Sequence, residues 1–216
     1  MFVGHYAAAL AAKGAEPRAP LWTYAIGCQL IDVGWSGLIM TGAERVSFDP
    51  KLPGSALVLE HMPYTHSLPA AIVWSVAAAI AVRWALKLPR AAAAMVGATV
   101  FSHWLGDLLV HRPDLELWFG GTKVGLGLWN YPVPEQAVEM GLLALGAAWW
   151  TWRRGKQGLT LWPAMVFVGL LVTLQIVAML IPGAGSAVGM GTTALVANLA
   201  VGVLAWFADR GSPRVT

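Results

Sequence analysis

The chain has 216 residues, of which 57% are hydrophobic and only 12% are charged, about half the charged share of an ordinary soluble domain. Too few polar groups are present to cover so much apolar surface in water, so the composition excludes a soluble globular domain and predicts an integral membrane protein. The net charge of +3 does not call for a nucleic-acid partner, because membrane topology explains the basic residues, and the single cysteine, Cys28, excludes an intrachain disulfide.

The order of apolar segments predicts an all-α fold, a polytopic membrane helix bundle that forms one domain over 1–216. Residues 1–19 form a short Ala-rich segment that is too short to cross a bilayer, which takes about 20 apolar residues. A polar loop at 42–65 and a loop rich in Gly, Pro and Trp at 112–133 separate longer apolar stretches. Six transmembrane helices are predicted: 21–41, 67–86, 91–110, 134–152, 159–181 and 187–207.

Lysine and arginine are distributed unequally between the two sides of this predicted bundle. Ten of the 14 fall on the side of the two termini and four on the other, at Arg45, Lys51, Arg112 and Lys123. Because cytoplasmic loops carry the excess of basic residues, both termini of this multi-pass membrane protein are predicted to be cytoplasmic.

The third predicted span contains three ionisable residues in an otherwise apolar run: His103, Asp107 and His111. Their spacing of four residues places the side chains along one face of a helix. Ionisable groups inside a membrane helix are costly, so they usually face the protein interior or a wet cavity and serve a function.

The predicted topology brings further polar residues to the same region. Asp32 and His103 each lie about twelve residues into a span that runs outward, at a similar depth of roughly 18 Å. His61 and His66 approach from the outer loop, and Glu135 and Glu139 begin the fourth span on that side. A cluster of histidine and carboxylate groups is therefore expected in the outer half of the membrane.

Mixed histidine and aspartate ligands are typical of Zn²⁺ sites, and sets with more carboxylate suit Mn²⁺ or Fe²⁺. More than four candidate ligands would permit a second ion, which suits phosphoester chemistry. Each residue alone also has a structural interpretation: an interhelical hydrogen bond for His103 or Asp32, solvation for His61, His66 or His111, and a favourable charge at a helix start for the two glutamates. Their joint occurrence favours the metal or proton site.

Three stretches together resemble the bacterial membrane-bound metal-dependent hydrolase family, which includes LexA-regulated inner-membrane hydrolases. They are Gly4-His5, the run from His61 to Ser67 with sequence HMPYTHS, and Ser102-His103-x-x-x-Asp107. The resemblance covers about the first 135 residues of the motif-bearing part, 1–139, and leaves the last two spans, within 140–207, without a motif. It implies a bacterial inner membrane as the location of the protein, and a distant likeness to zinc-dependent phospholipase C and P1-type nuclease.

The resemblance implies metal roles for a set of positions in this chain: His5, Asp32, His61, His66, His103 and Asp107. Two departures from the family pattern stand out. Asp32 is a single acid, with no histidine after it, where the family has two acids and a histidine, and Met62-Pro63 replaces an Arg-Gly pair. His111 extends the same helical face and could substitute for a missing ligand.

His5 conflicts with the predicted topology, because the charge bias places it on the inner side while the other candidate ligands lie in the outer half. Either a short helix re-enters among the spans, where irregular backbone is tolerated if protein surrounds it, or His5 is not a ligand.

The leading functional hypothesis is a hydrolase that uses a divalent metal, zinc by preference, on a phosphoester or lipid-like substrate drawn from membrane lipid. His5, Asp32, His66, His103 and Asp107 are the expected metal ligands, and His61 or His111 the catalytic acid or base. Two alternatives stay open. One is a proton-coupled permease that uses the same ladder of groups. The other is a non-catalytic subunit that binds a protein partner in a membrane complex, with haem or pigment on a histidine.

Overall fold

The computed structural model describes residues 2–180 and 185–210, and helices make up 68% of it. The predicted all-helical class is confirmed. Eight α-helices occur within the described residues: α1 Gly4–Ala15, α2 Leu21–Gly27, α3 Leu30–Thr41, α4 Leu68–Ala85, α5 Arg90–Val110, α6 Pro132–Lys156, α7 Trp162–Leu180 and α8 Ala187–Asp209.

Four of these helices, α4, α5, α7 and α8, are long and apolar enough to cross a membrane. Their bounds lie close to those of the second, third, fifth and sixth predicted spans. Helix α4 shows how the sequence sets such a bound. The side chain of Ser67 accepts a hydrogen bond from the backbone N–H of Ala70, and Pro69 occupies the first turn, where its missing N–H costs nothing.

The other two predicted spans differ from a simple membrane helix. The apolar run 21–41 is interrupted between α2 and α3, where Gln29 leaves helical geometry with φ −118° and ψ 6°. The side chain of Gln29 is fully buried at this break and donates to the backbone carbonyl of Phe2. Helix α6 has 25 residues but carries Glu135, Glu139 and three basic residues, so it is less apolar than the four candidate spans.

The N-terminal helix α1 is an internal part of the bundle and packs along α6 and α5. A methyl group at Gly146 of α6 would lie 2.6 Å from the carbonyl oxygen of Ala7, so the two backbones are in direct contact. Glu139 of α6 accepts hydrogen bonds from the backbone N–H groups of Phe2 and Gly4. Helix α1, which is too short to span a membrane, thus packs among longer helices.

Two short antiparallel hairpins lie in the loops and were not predicted. Strand β1, Arg45–Phe48, pairs with β2, Leu57–His61, and strand β3, Leu115–Glu116, pairs with β4, Lys123–Val124. Their apolar side chains form a cluster with α3: Leu59, Met62 and Leu115 pack with Trp35 and Ile39. The two loops therefore form a structured cap on the end of the bundle at which α3 and α5 end.

Candidate metal centre

The centre of the site is the pair predicted on α5. His103 and Asp107 are one helical turn apart, and His103 Nε2 lies 3.0 Å from Asp107 Oδ2. Both side chains are buried, and His103 is 0% exposed. Because the contact depends only on helix geometry, the i, i+4 spacing was sufficient to predict it.

Asp32 and His66 complete a ring of four donor atoms around this pair. Asp32 Oδ1 lies 3.4 Å from both His103 Nε2 and His66 Nε2, and His66 Nε2 lies 3.5 Å from Asp107 Oδ2. Imidazole nitrogen and carboxylate oxygen alternate around the ring. Asp32 stands in the first turn of α3, and His66 directly precedes the residue that caps α4, so α3, α5 and the segment before α4 supply the four atoms.

His5 belongs to the same group. Its Nε2 atom lies 3.1 Å from Asp107 Oδ1, and its ring stacks on that of His103 with 3.9 Å between ring centroids. Donor atoms of His5, His103 and Asp107 lie within 4.8 Å of one another, as do those of Asp32, His66 and His103. Of the two alternatives for His5, the packing of α1 among the other helices agrees with the first, a short helix inserted among them.

His111 directly follows α5 and faces the second oxygen of Asp107, with its Nε2 atom 3.7 Å from Oδ1. The two carboxylate oxygens of Asp107 therefore face different histidines. Oδ2 faces His66 and His103, and Oδ1 faces His5 and His111. A carboxylate that presents one oxygen to each of two donor sets can bridge two ions.

The orientation of three imidazoles is set by hydrogen bonds at the other ring nitrogen. His103 Nδ1 lies 2.8 Å from the backbone carbonyl oxygen of Cys28, and His111 Nδ1 lies 3.0 Å from Asp114 Oδ1. Because these partners only accept, each Nδ1 carries a proton, and each Nε2 is the ring nitrogen that faces the centre. Metal-ligating histidines in proteins are usually held in this way.

His66 is held through a relay of two side chains. Its Nδ1 atom lies 2.8 Å from Thr65 Oγ1, and the Thr65 hydroxyl donates to Glu44 Oε2. The hydroxyl proton is committed to the carboxylate, so Thr65 Oγ1 accepts from His66 Nδ1–H. The other oxygen of Glu44 accepts from the backbone N–H groups of Tyr64 and Thr65, which fixes the segment before α4.

Burial keeps the two outlying histidines neutral. It lowers the pKa of His5 to about 4 and lowers the pKa of His111 below its ordinary value, although the carboxylate of Asp107 raises both. A neutral imidazole is the form that ligates a metal.

Not every candidate residue joins this group. His61, at the end of β2, has its Nδ1 atom 3.4 Å from Glu116 Oε1, and its side chain is 38% exposed. Glu139 binds the start of α1, and Glu135 accepts from the side chain of Gln136. His61 and the two glutamates therefore surround the centre without contributing donor atoms to either close group.

Sequence reasoning missed the acids behind the histidines, which are Glu44, Asp114 and Glu116. All three are buried, and all lie in or beside the hairpins. Glu116 accepts from the backbone N–H groups of Met62 and Gly120, so it joins the two loops. Hydropathy gives no signal for such residues, because an acid in a polar loop looks like an ordinary solvated side chain.

The donor set fits a divalent metal. Two ligands of one zinc ion, each about 2.0–2.2 Å from the metal, lie roughly 3–3.5 Å apart, and neighbouring atoms of the ring are 3.0–3.5 Å apart. His103 Nε2 is buried and, among the described residues, has no hydrogen-bond partner despite its close carboxylates. A cation between this nitrogen and the two nearby carboxylate oxygens would give all three atoms a partner.

Comparison with known proteins adds no relative to this geometry. No protein-family model matches the chain, and neither a curated protein nor a solved structure matches it significantly. The class that fold and site define is thus a helical protein with helices of membrane-spanning length around a buried histidine–aspartate group that could hold a metal ion.

Proposed function

We propose that this protein is an integral-membrane hydrolase that depends on a divalent metal, zinc by preference. The observation that carries the proposal is the ring of His66, His103, Asp32 and Asp107, with histidines already fixed in the ligating tautomer. A group built only to hydrogen-bond would not need a buried His103 nitrogen that has no hydrogen-bond partner in the described part of the chain.

The ring residues would hold one ion, and Asp107 Oδ1 with His5 and His111 would hold a second or position a water molecule. Zinc supplies a bound water whose pKa is lowered to about 7, a nucleophile at neutral pH. If His111 holds no ion, it is the preferred proton carrier, because Asp114 holds its Nδ1–H and leaves Nε2 to accept a proton beside Asp107. His61 is the less favoured candidate, since its near partner is Glu116 and its ring is partly exposed.

A phosphoester or lipid-like substrate is supported by an apolar groove that begins at the site. The groove has a volume of about 490 Å³ and runs between α1, α5 and α6, with small residues such as Ala8 and Gly106 on its floor. His5 lines it, so an acyl chain in the groove would place its polar end beside the metal ligands. Membrane lipid is the partner that this groove favours.

Six membrane spans in a bacterial inner membrane, with both termini in the cytoplasm, are the proposed topology. The excess of basic residues at the ends of α4, α6 and α8 supports that orientation. The histidine–aspartate group then lies towards the outer side, because α5 runs away from its basic start at Arg90.

Elemental analysis of the purified protein tests the proposal most directly. We expect at least one equivalent of zinc or a related ion, lost in the double variant H103A/D107A and retained in H61A, the matched histidine outside the ring. Hydrolysis of bis-(p-nitrophenyl) phosphate should require the metal and disappear with it. A protein that is folded and metal-free, or metal-loaded without any phosphoester or lipid hydrolysis, would overturn the hydrolase proposal.

A further inference from the structure

A second cavity lies next to the metal centre and is not used by the proposed chemistry. It has a volume of about 900 Å³, large enough for a small-molecule ligand, and is bounded by the β1–β2 connection and by α6, α7 and α8. One wall is apolar and includes Phe48, Leu52 and Leu57. The other wall is polar and consists of four side chains: Glu135, Gln136, Glu139 and Gln175.

Hydrogen bonds along the polar wall run in one direction. Gln136 Nε2 lies 2.7 Å from Glu135 Oε2, and an amide nitrogen can only donate, so Gln136 donates. The oxygen of Gln136 then accepts from Gln175 Nε2 at 2.9 Å. The amide oxygen Oε1 of Gln175 is left without a hydrogen-bond partner among the described residues, although Gln175 is only 4% exposed.

The same wall holds two carboxyl groups, those of Glu135 and Glu139. Both oxygens of Glu139 accept from backbone N–H groups, those of Phe2 and Gly4, and bring no positive side chain with them. Of the described residues that line the cavity, none is a lysine or an arginine. Carboxylate oxygens and a buried, unpartnered amide oxygen are all acceptors, so the group that fits here must donate hydrogen bonds and is favoured if it is positively charged.

The cavity is one side chain away from the metal ligands at two points. Trp129 lines it, and the Trp129 ring also contacts that of His111, with 3.9 Å between ring centroids. Phe2 lines it as well, and stands one helical turn before His5. A ligand held in the cavity could therefore extend past these aromatic rings towards the histidine–aspartate group.

We propose that this cavity binds the primary ammonium group of an amphiphilic ligand, with Glu135 and Gln175 Oε1 as its acceptors and the apolar wall beside its hydrocarbon. The inference names the substrate class of the proposed hydrolase, an amine-bearing phosphoester or lipid, and in that respect rests on the proposed function. Binding itself requires no turnover, so it can be measured separately.

Titration calorimetry on the full-length protein in nanodiscs tests this with three probes of equal chain length. Dodecylammonium should bind saturably, whereas dodecyltrimethylammonium, which has the charge but no N–H donor, should bind at least tenfold more weakly. Dodecyl glucoside, a neutral donor, should bind more weakly than dodecylammonium. Equal binding of the primary and quaternary ammonium probes would show a merely electrostatic or apolar surface and overturn the inference.

Three variants test whether dodecylammonium binds in this cavity. E135Q and Q175L should each weaken dodecylammonium binding about tenfold or more, and T173V, on the exposed face of the same helix α7, should not change it. If Q175L fails to fold, E135Q, which keeps the size of the side chain, carries the test. Unchanged binding in a folded E135Q protein refutes the cavity even if hydrolysis is found. Conversely, E135Q-sensitive binding by a protein without hydrolytic activity sustains the cavity and refutes only the hydrolase proposal.

Discussion

Replacement of Thr65 by valine tests whether the residues behind the histidines tune the metal centre. The variant keeps the shape of the side chain but removes the hydroxyl that accepts from His66 Nδ1 and donates to Glu44. Glu44 retains its two backbone partners, so the segment before α4 should stay in place. The change therefore removes the acceptor of His66 Nδ1–H and the hydroxyl donor of Glu44 Oε2.

The magnitude follows from burial. Thr65 and His66 are both buried, so a metal-bound His66 would keep an Nδ1–H with no acceptor, at a cost of about 1–3 kcal/mol. Without metal, the His66 imidazole can move its proton to Nε2 and donate to Asp32 or Asp107, so the cost falls on the metal-bound form. At about 1.4 kcal/mol for each tenfold change, we expect metal affinity to fall roughly 10- to 100-fold.

Competition with a fluorescent zinc chelator at neutral pH measures this affinity, and T65S, which restores the hydroxyl, is the matched control. T65S should bind zinc nearly as tightly as the wild-type protein. The reasoning is wrong if folded T65V binds zinc within twofold of wild type, or if T65S loses as much affinity as T65V.

Two further predictions concern the bundle around the site. G146A should lower the melting temperature and weaken metal binding, because the new methyl group would meet the backbone of Ala7 and displace α1. G141A is the control on the same helix: no atom lies within 4 Å of the added methyl group, so this variant should be neutral or stabilising by up to about 1 kcal/mol. Equal effects of the two variants would contradict the described contact. Removal of metal by a chelator should destabilise the wild-type protein by about 2.7 kcal/mol relative to protein at a free metal concentration of 100 Kd, measured by thermal unfolding, with no such shift in H103A/D107A.

The parts of the structure that the sequence predicted are those governed by local periodicity. Hydropathy located α4, α5, α7 and α8 closely, since a bilayer-length apolar helix needs no knowledge of its neighbours. The His103–Asp107 contact follows from helix spacing alone. The approach of Asp32 to His103 agrees with the similar depth predicted for them in two spans that were predicted to run in the same direction.

Features that depend on packing between distant parts of the chain could not be predicted from the sequence. The cap hairpins, and with them the roles of Glu44 and Asp114, depend on how two loops pair with each other and with α3. The depth of His5 could not be read from a 12-residue helix whose neighbours supply the burial. The break at Gln29 was hidden because the apolar run continues through it without a proline.

The break between α2 and α3 is itself required by the site. A helix that continued unbroken from α2 into α3 would use its backbone carbonyls within itself, whereas the turn at Cys28 points one carbonyl sideways into the bundle, where it holds the His103 ring. Gly27 makes the approach to α5 close enough, since a methyl group there would lie 2.8 Å from Thr99 Oγ1. Substitutions that make α2 and α3 one continuous helix to raise thermal stability should therefore free the His103 imidazole to rotate. Such a variant would be more stable but would bind its metal ion less tightly.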